Sequence, residues 1–136
     1  MSMELEIRAA LDRLRGGDEE AAFFELLEMP GDVLPVLIDV FHSEADVAVR
    51  AILVRVAWER RDRSVLAFLS EALKDDHEEI WQQALDGLVA FASPESLDVL
   101  QRARNRGSED DSAARRFRLW LEEAIRQVEF EIGRRT

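Results

Sequence analysis

Two histidines and a large set of acidic side chains are the residues of this sequence with the widest chemical possibilities. Asp39 and His42 are three positions apart, so a helix would place a carboxylate and an imidazole on one face. A di-iron site would also need further carboxylates and a second such pair on a facing helix, which we do not find. Without cysteine, thiolate metal sites and cysteine nucleophiles are excluded. The sequence therefore predicts neither a metal nor a cofactor.

Acid–base catalysis is not indicated either. Glu19 and Glu20 are adjacent, as are Glu122 and Glu123, and neighbouring residues diverge on a helix, which disfavours a shared proton. No nucleophile lies at a recognised spacing from a base, and no glycine-rich phosphate loop follows a strand pattern. We predict a protein that is not an enzyme.

The elements that must position any functional side chain are predicted to be helices. Three prolines and six glycines separate apolar stretches with helical spacing rather than the alternation typical of strands. The predicted helices are 4–15, 18–29, 32–42, 44–60, 63–74, 76–92, 94–106 and 111–132.

These helices repeat in a short-then-long pattern. Superposing 33–64 on 65–96 without gaps pairs thirteen apolar positions, against about seven expected from composition. The loops align as well. The third copy is looser and contains an inserted turn at 107–111. The matched pairs include Val33 with Val65, Leu37 with Leu69, Phe41 with Leu73, Val49 with Trp81, Leu53 with Leu85, and Val56 with Leu88.

The turn and second helix of one repeat, 73–88, resemble a HEAT repeat. Asp75 falls on the turn aspartate of that family, Ile80 on its apolar anchor, Ala84 on its small packing residue and Leu88 on its leucine. Trp81 stands where the family usually has arginine. The resemblance extends over about 31–128. It implies an all-α fold, a short right-handed α-solenoid of about four antiparallel helix pairs in a single domain, 1–136. Residues 1–30 would form a degenerate N-terminal capping pair, and 31–62, 63–93 and 94–132 the repeats.

The charge balance restricts the partners. A net charge of −11 and a pI near 4.6 oppose binding to nucleic acid or to an anionic membrane, and they favour a basic protein. The first ten residues lack the long apolar run of an export signal, so we expect a cytoplasmic protein.

Acidic residues cluster at predicted helix N-termini, where two interpretations remain open. Carboxylates there cap free amides and meet the positive end of the helix dipole. Alternatively, some of them form an acidic recognition surface, built mainly from Asp75, Asp76, Glu78, Glu79 and Asp86. The three clusters are 18–20, 75–79 and 109–111.

The helix at 44–60 carries two apolar stripes. Beside an expected core stripe of Ala48, Ile52 and Val56 runs a second, containing Val47, Ala51, Val54 and Trp58. The second stripe is either buried by neighbouring helices or exposed as a binding patch beside Arg50. Trp81 and Trp120 are expected to pack between layers. The predicted partner-binding residues are Arg50, Val54, Trp58, Glu79, Gln82, Gln83 and Asp86.

Resemblance to HEAT repeats implies a non-enzymatic protein-binding module, either a small adaptor or an inhibitor. By analogy, a small acidic version suggests a bacterial immunity protein that neutralises a basic toxin. The alternatives are an accessory or lyase-type protein that handles a small molecule, and a helical-repeat module that binds nucleic acid. The sequence does not indicate an oligomeric state.

Overall fold

The structure, a computed structural model, describes residues 2–105 and 112–135, and in those ranges its regular elements are helices, with no strand. All eight predicted helices are present there, which confirms the all-α class. They are α1 (Met3–Arg15), α2 (Glu19–Glu28), α3 (Leu34–Ser43), α4 (Val47–Glu59), α5 (Val65–Ala72), α6 (Glu78–Phe91), α7 (Pro94–Arg102) and α8 (Ser112–Arg135), with a 3-10 helix, Ala103–Asn105, after α7. The turn predicted at 107–111 and the acidic cluster 109–111 lie outside the described residues.

The chain divides into two compact units, Met1–Val65 and Leu66–Thr136. The first unit contains α1 to α4, and α5 begins at its last residue. Within this unit α1 packs on α2 and α3, and α4 packs on α2 and α3. Arg13 on α1 forms an ion pair with Glu25 on α2. The largest fully buried side chains of the unit are Ile7, Leu11, Leu26, Leu37 and Leu53.

In the second unit, α8 packs along both α6 and α7. The Arg104 guanidinium donates two hydrogen bonds of 2.8 Å to the Glu122 carboxylate, which joins the 3-10 helix to α8. Arg135 donates a 2.8 Å bond to the carbonyl of Ala92, at the end of α6. Arg135 is the last residue of α8, which therefore extends beyond its predicted end at 132. The largest fully buried side chains here are Leu69, Leu73, Ile80, Leu88, Leu100, Leu121 and Ile125.

The register of the predicted repeat matches the pattern of burial. Both members of the pairs Leu37–Leu69 and Leu53–Leu85 are at most 3% exposed. The other matched pairs, Val33 with Val65, Phe41 with Leu73, Val49 with Trp81, and Val56 with Leu88, are buried as well. The division of the chain into one domain with repeats at 31–62, 63–93 and 94–132 stays a prediction.

Two helix starts illustrate the capping rules. Ser93 caps α7, and its hydroxyl accepts from the Ser96 amide at 3.1 Å while the Ser96 hydroxyl accepts from the Ser93 amide at 2.9 Å, with Pro94 in the first turn as predicted. The start of α4 was predicted three residues too early. The Asp46 carboxylate accepts from the amides of Ala48 and Val49, so the helix begins at Val47.

Candidate partner-binding surfaces

Two carboxylates of the acidic cluster at the start of α6 have partners within the protein. The Asp75 carboxylate accepts a 2.9 Å bond from the His77 amide and lies 2.9 Å from the His77 ring nitrogen Nδ1. Its side chain is only 14% exposed. Glu78 forms an ion pair with Arg116 of α8 and also accepts from the Gln82 amide at 3.2 Å. Asp75 therefore orders the turn before α6, and Glu78 joins α6 to α8. In the described part of the chain neither α6 nor α2 has a side-chain hydrogen bond from its N-cap residue, so the carboxylates do not cap these helices as the capping interpretation expects.

Further along α6, four predicted binding residues share one side of the helix. Glu79, Gln82, Gln83 and Asp86 are related by steps of three and four residues, so they form one continuous strip, the α6 face. Glu79 and Asp86 are exposed, and the two glutamines are half-buried. The face ends in a carboxylate at each extremity, with amides between them.

Asp86 differs electrostatically from an ordinary surface carboxylate. Surrounding protein removes part of the water around its carboxyl group, and this desolvation raises the pKa of Asp86 above its ordinary value of 3.8. Within the ranges 2–105 and 112–135, the carboxylate has neither an ion pair nor a hydrogen bond. A cation from another molecule would offset part of that desolvation cost.

The predicted binding residues on α4 have different environments. Val54 was predicted to bind a partner, but it is fully buried and its side chain belongs to the core. Arg50 donates from Nε to the Phe41 carbonyl at 3.3 Å, and its guanidinium lies 4.3 Å above the Phe41 ring. Trp58 is half-buried, with the Arg61 guanidinium 5.5 Å from its ring centroid.

Burial on α4 shows how its two apolar stripes are used. In the second stripe Ala51 is buried together with Val54, which supports the packed interpretation of its middle. The expected core stripe is partly wrong, because Ala48 is exposed and Ile52 is half-buried. Since α4 is apolar on most sides, its sequence does not specify which side meets each neighbour.

Two tryptophans of the second unit, Trp81 and Trp120, were predicted to pack between helix layers, and Trp81 is buried in this way. Trp81 is buried and packs edge-on against Phe117 of α8, with ring centroids 5.2 Å apart. The prediction for Trp120 is wrong, because its side chain is 43% exposed. Residues 117 and 121 already supply the buried side of α8, and residue 120 lies about 100° away from 121 on the helix.

An acidic and aromatic groove on the first unit was not predicted. Its cavity of about 350 Å³ is lined by Glu19, Glu20, Phe23, Phe24, Ile52 and Arg55, which we call the α2 groove. Phe24 is 47% exposed, whereas Phe23 is buried with Arg55 4.3 Å from its ring centroid. The sequence held one signal for this site: two adjacent phenylalanines on a helix cannot both face the core.

Two kinds of site are absent from the described residues. No group of three or more histidine, aspartate and glutamate side chains is placed to hold a metal ion there. Over the same ranges, no helix has both the length and the apolar character needed to cross a bilayer.

The helices are paired, and the pattern of buried residues repeats every 32 residues. These two features define a helical-repeat protein. A family model for HEAT repeats matches residues 34–118, more than half of the chain. The protein belongs to the HEAT-repeat family, whose members generally mediate protein–protein interactions and are typically not enzymes. Neither the curated proteins nor the solved structures contained a match to this chain.

Proposed function

We propose that the protein is a non-enzymatic binding module whose α6 face contacts a basic protein partner, as a small adaptor or inhibitor. The observation that carries this proposal is the partly desolvated carboxylate of Asp86, which has no partner among the residues that the structure describes. An arginine or lysine from the partner would pair with Asp86, and the exposed carboxylate of Glu79 at the other end of the α6 face would attract a second cation. The net charge of −11 would speed the approach of a basic partner.

Arg50 and Trp58 of α4 stay in the proposed contact set, because both are half-buried and retain some accessible surface. The α2 groove is an additional acidic surface with an exposed aromatic anchor, a composition that suits a basic partner. Inhibition of a basic toxin by masking its active site is one form that this function would take. The cytoplasm is the proposed compartment.

The partner can be sought by affinity purification from the source organism, with two aspartate variants as matched baits. Asp86→Asn removes the unpaired carboxylate, whereas Asp98→Asn removes the same charge from α7, where Asp98 is already paired with Arg102 at 3.0 Å. We expect Asp86→Asn to weaken binding of the recovered protein by about 1–3 kcal/mol. Asp98→Asn should change the affinity less than twofold, by a reduced association rate at low salt. Mass spectrometry and titration calorimetry provide the measurements.

Three results of that experiment would count against the proposal. They are an acidic partner, equal losses for the two variants, and recovery of a nucleic acid or a small molecule in place of a protein. The last of these would favour the alternative functions of nucleic-acid binding or small-molecule handling.

The raised pKa of Asp86 gives a prediction that needs no partner. The folded state holds the Asp86 proton more tightly than the unfolded state, so the ionised carboxylate destabilises the fold above the raised pKa. That cost disappears as the pH falls through the raised pKa and below the ordinary value of 3.8. Asp86→Asn should therefore melt at a higher temperature than wild type near pH 7, with the difference vanishing near pH 3. A difference that grows on acidification would contradict this assignment.

A further inference from the structure

Two large apolar side chains are exposed on the same side of α8. Leu119 is 72% exposed and Phe130 is 68% exposed. They are eleven residues apart, which is close to three helical turns, so they lie within about 20° of one line along the helix. Both lie on the side of α8 opposite its buried residues, such as Leu121 and Ile125, and so face away from the core.

A charged pair lies between them on the same side of the helix, with one residue about 30° to each side of this line. The Glu123 carboxylate is 2.6 Å from the Arg126 guanidinium, and both side chains are more than half exposed. We call these four residues, Leu119, Glu123, Arg126 and Phe130, the α8 stripe. Its order along the helix is apolar, acidic, basic, apolar, and it carries no net charge.

The α8 stripe is complementary to itself when reversed. Leu119 and Phe130 are equally distant from the midpoint between residues 124 and 125, and so are Glu123 and Arg126. A second α8 laid antiparallel across this midpoint would place Leu119 opposite Phe130 and Glu123 opposite Arg126. A parallel arrangement in register would instead oppose Glu123 to Glu123 and Arg126 to Arg126.

We propose that the α8 stripe is a homodimer interface, in which α8 of one copy packs antiparallel on α8 of a second copy about a two-fold axis through this midpoint. Such an isologous contact uses the same patch twice, so both apolar residues are covered and both charged residues gain an opposite charge in one arrangement. The two Glu123–Arg126 pairs then form a network of four alternating charges. A strongly basic partner would be attracted by Glu123 but repelled by Arg126, and a strongly acidic partner would be attracted by Arg126 but repelled by Glu123.

The contact involves one helix face from each copy, which is at the small end of specific interfaces. We therefore expect a weak dimer, with a Kd on the order of tens of micromolar. Sedimentation velocity over a concentration series should show a reversible monomer–dimer equilibrium. Phe130→Asp should abolish it, whereas Leu5→Asp, at a 59% exposed leucine on α1, should leave it unchanged.

Charge reversal tests the antiparallel register itself. Glu123→Arg and Arg126→Glu should each weaken self-association at least about tenfold, because like charges then oppose each other across the interface. An equimolar mixture of the two variants should dimerise, since each positive stripe meets a negative one. The double variant Glu123→Arg/Arg126→Glu should dimerise like wild type. Circular dichroism of each variant verifies that the helices are intact.

Three outcomes would overturn the proposal. They are a wild-type protein that stays monomeric up to roughly millimolar concentration, a Leu5→Asp variant as impaired as Phe130→Asp, and a mixture of the two single charge variants that stays monomeric.

Discussion

Leu85→Asp is expected to leave the protein unfolded at room temperature. Leu85 is only 3% exposed and lies on the buried side of α6. An aspartate there would bury a charge without a partner and would also lose the packing of a leucine, which alone costs about 2–5 kcal/mol. The sum is comparable with the whole stability of a typical domain, about 5–15 kcal/mol. Far-ultraviolet circular dichroism and a melting curve would record the loss.

The same substitution at an exposed leucine is the control. Leu119→Asp introduces an identical charge where the side chain is 72% exposed, so the melting temperature should stay within about 2 °C at low protein concentration. If Leu85→Asp melts like wild type, the register of α6 described here is wrong. If Leu119→Asp unfolds as well, the protein is destabilised by an added charge at an exposed position too, and burial is not the cause of the loss at Leu85.

The second large effect is expected at Arg60. Its guanidinium nitrogen Nη1 donates to the carbonyls of Leu26 and Leu27 at 3.2 and 2.8 Å, and Nη2 donates to the Gly31 carbonyl at 3.1 Å. These carbonyls belong to the end of α2 and the turn that follows, where helical partners run out. One side chain at the end of α4 therefore holds the last turn of another helix.

Arg60→Ala should destabilise the protein by about 2–3 kcal/mol, because charge-assisted bonds are lost and part-buried carbonyls lose their donor. The melting temperature should fall by roughly 6–15 °C. Arg60→Lys should be intermediate, since an ammonium cannot span three carbonyls as a guanidinium does.

Arg61→Ala is the matched control for Arg60→Ala. Arg61 is exposed and has the same charge, and its positive φ of 61° would be equally unfavourable for alanine. The expected cost is below about 1 kcal/mol. Equal losses at the two positions would show that charge, and not the contact with α2, is what matters.

Arg60 also shows where sequence reasoning ends. From the sequence alone, Arg60 and Arg61 look like ordinary cations at the end of their own helix, where they meet the negative end of the helix dipole. The carbonyls that Arg60 contacts lie about thirty residues earlier in the chain. Which carbonyls come within reach of a flexible side chain depends on how α2 and α4 pack, and that packing is not encoded in local spacing.

The core could be predicted because its signal, unlike the contacts of Arg60, is contained in residue spacing along the sequence. Burial repeats with the same phase in successive helix pairs, so aligning 33–64 with 65–96 identified residues such as Leu53 and Leu85 without knowledge of their neighbours. The wrong predictions of burial concern helices in which this periodic pattern is weak. Ala48 lies on a helix with apolar residues on most sides, and Trp120 lies on the loosest copy of the repeat.

The candidate surfaces were predicted in part. The residue spacing placed Glu79, Gln82, Gln83 and Asp86 on one helix face. It could not distinguish Asp86, which lacks a partner in the described parts of the chain, from Asp75, which binds His77. That distinction depends on loop geometry and on local exclusion of water. For the same reason, the α2 groove was missed, because Glu19 and Glu20 were interpreted only as acidic residues at a helix N-terminus.

Most packing in the first unit joins helices that are close in sequence, such as α1 with α2 and α3 with α4. Closing short loops costs little conformational entropy, so chains of this kind fold quickly for their size. During synthesis, α1 to α4 emerge first, so their mutual contacts can form before the later helices leave the ribosome. The order of the helices along the chain thus limits how long apolar side chains stay open to aggregation while the protein is being made.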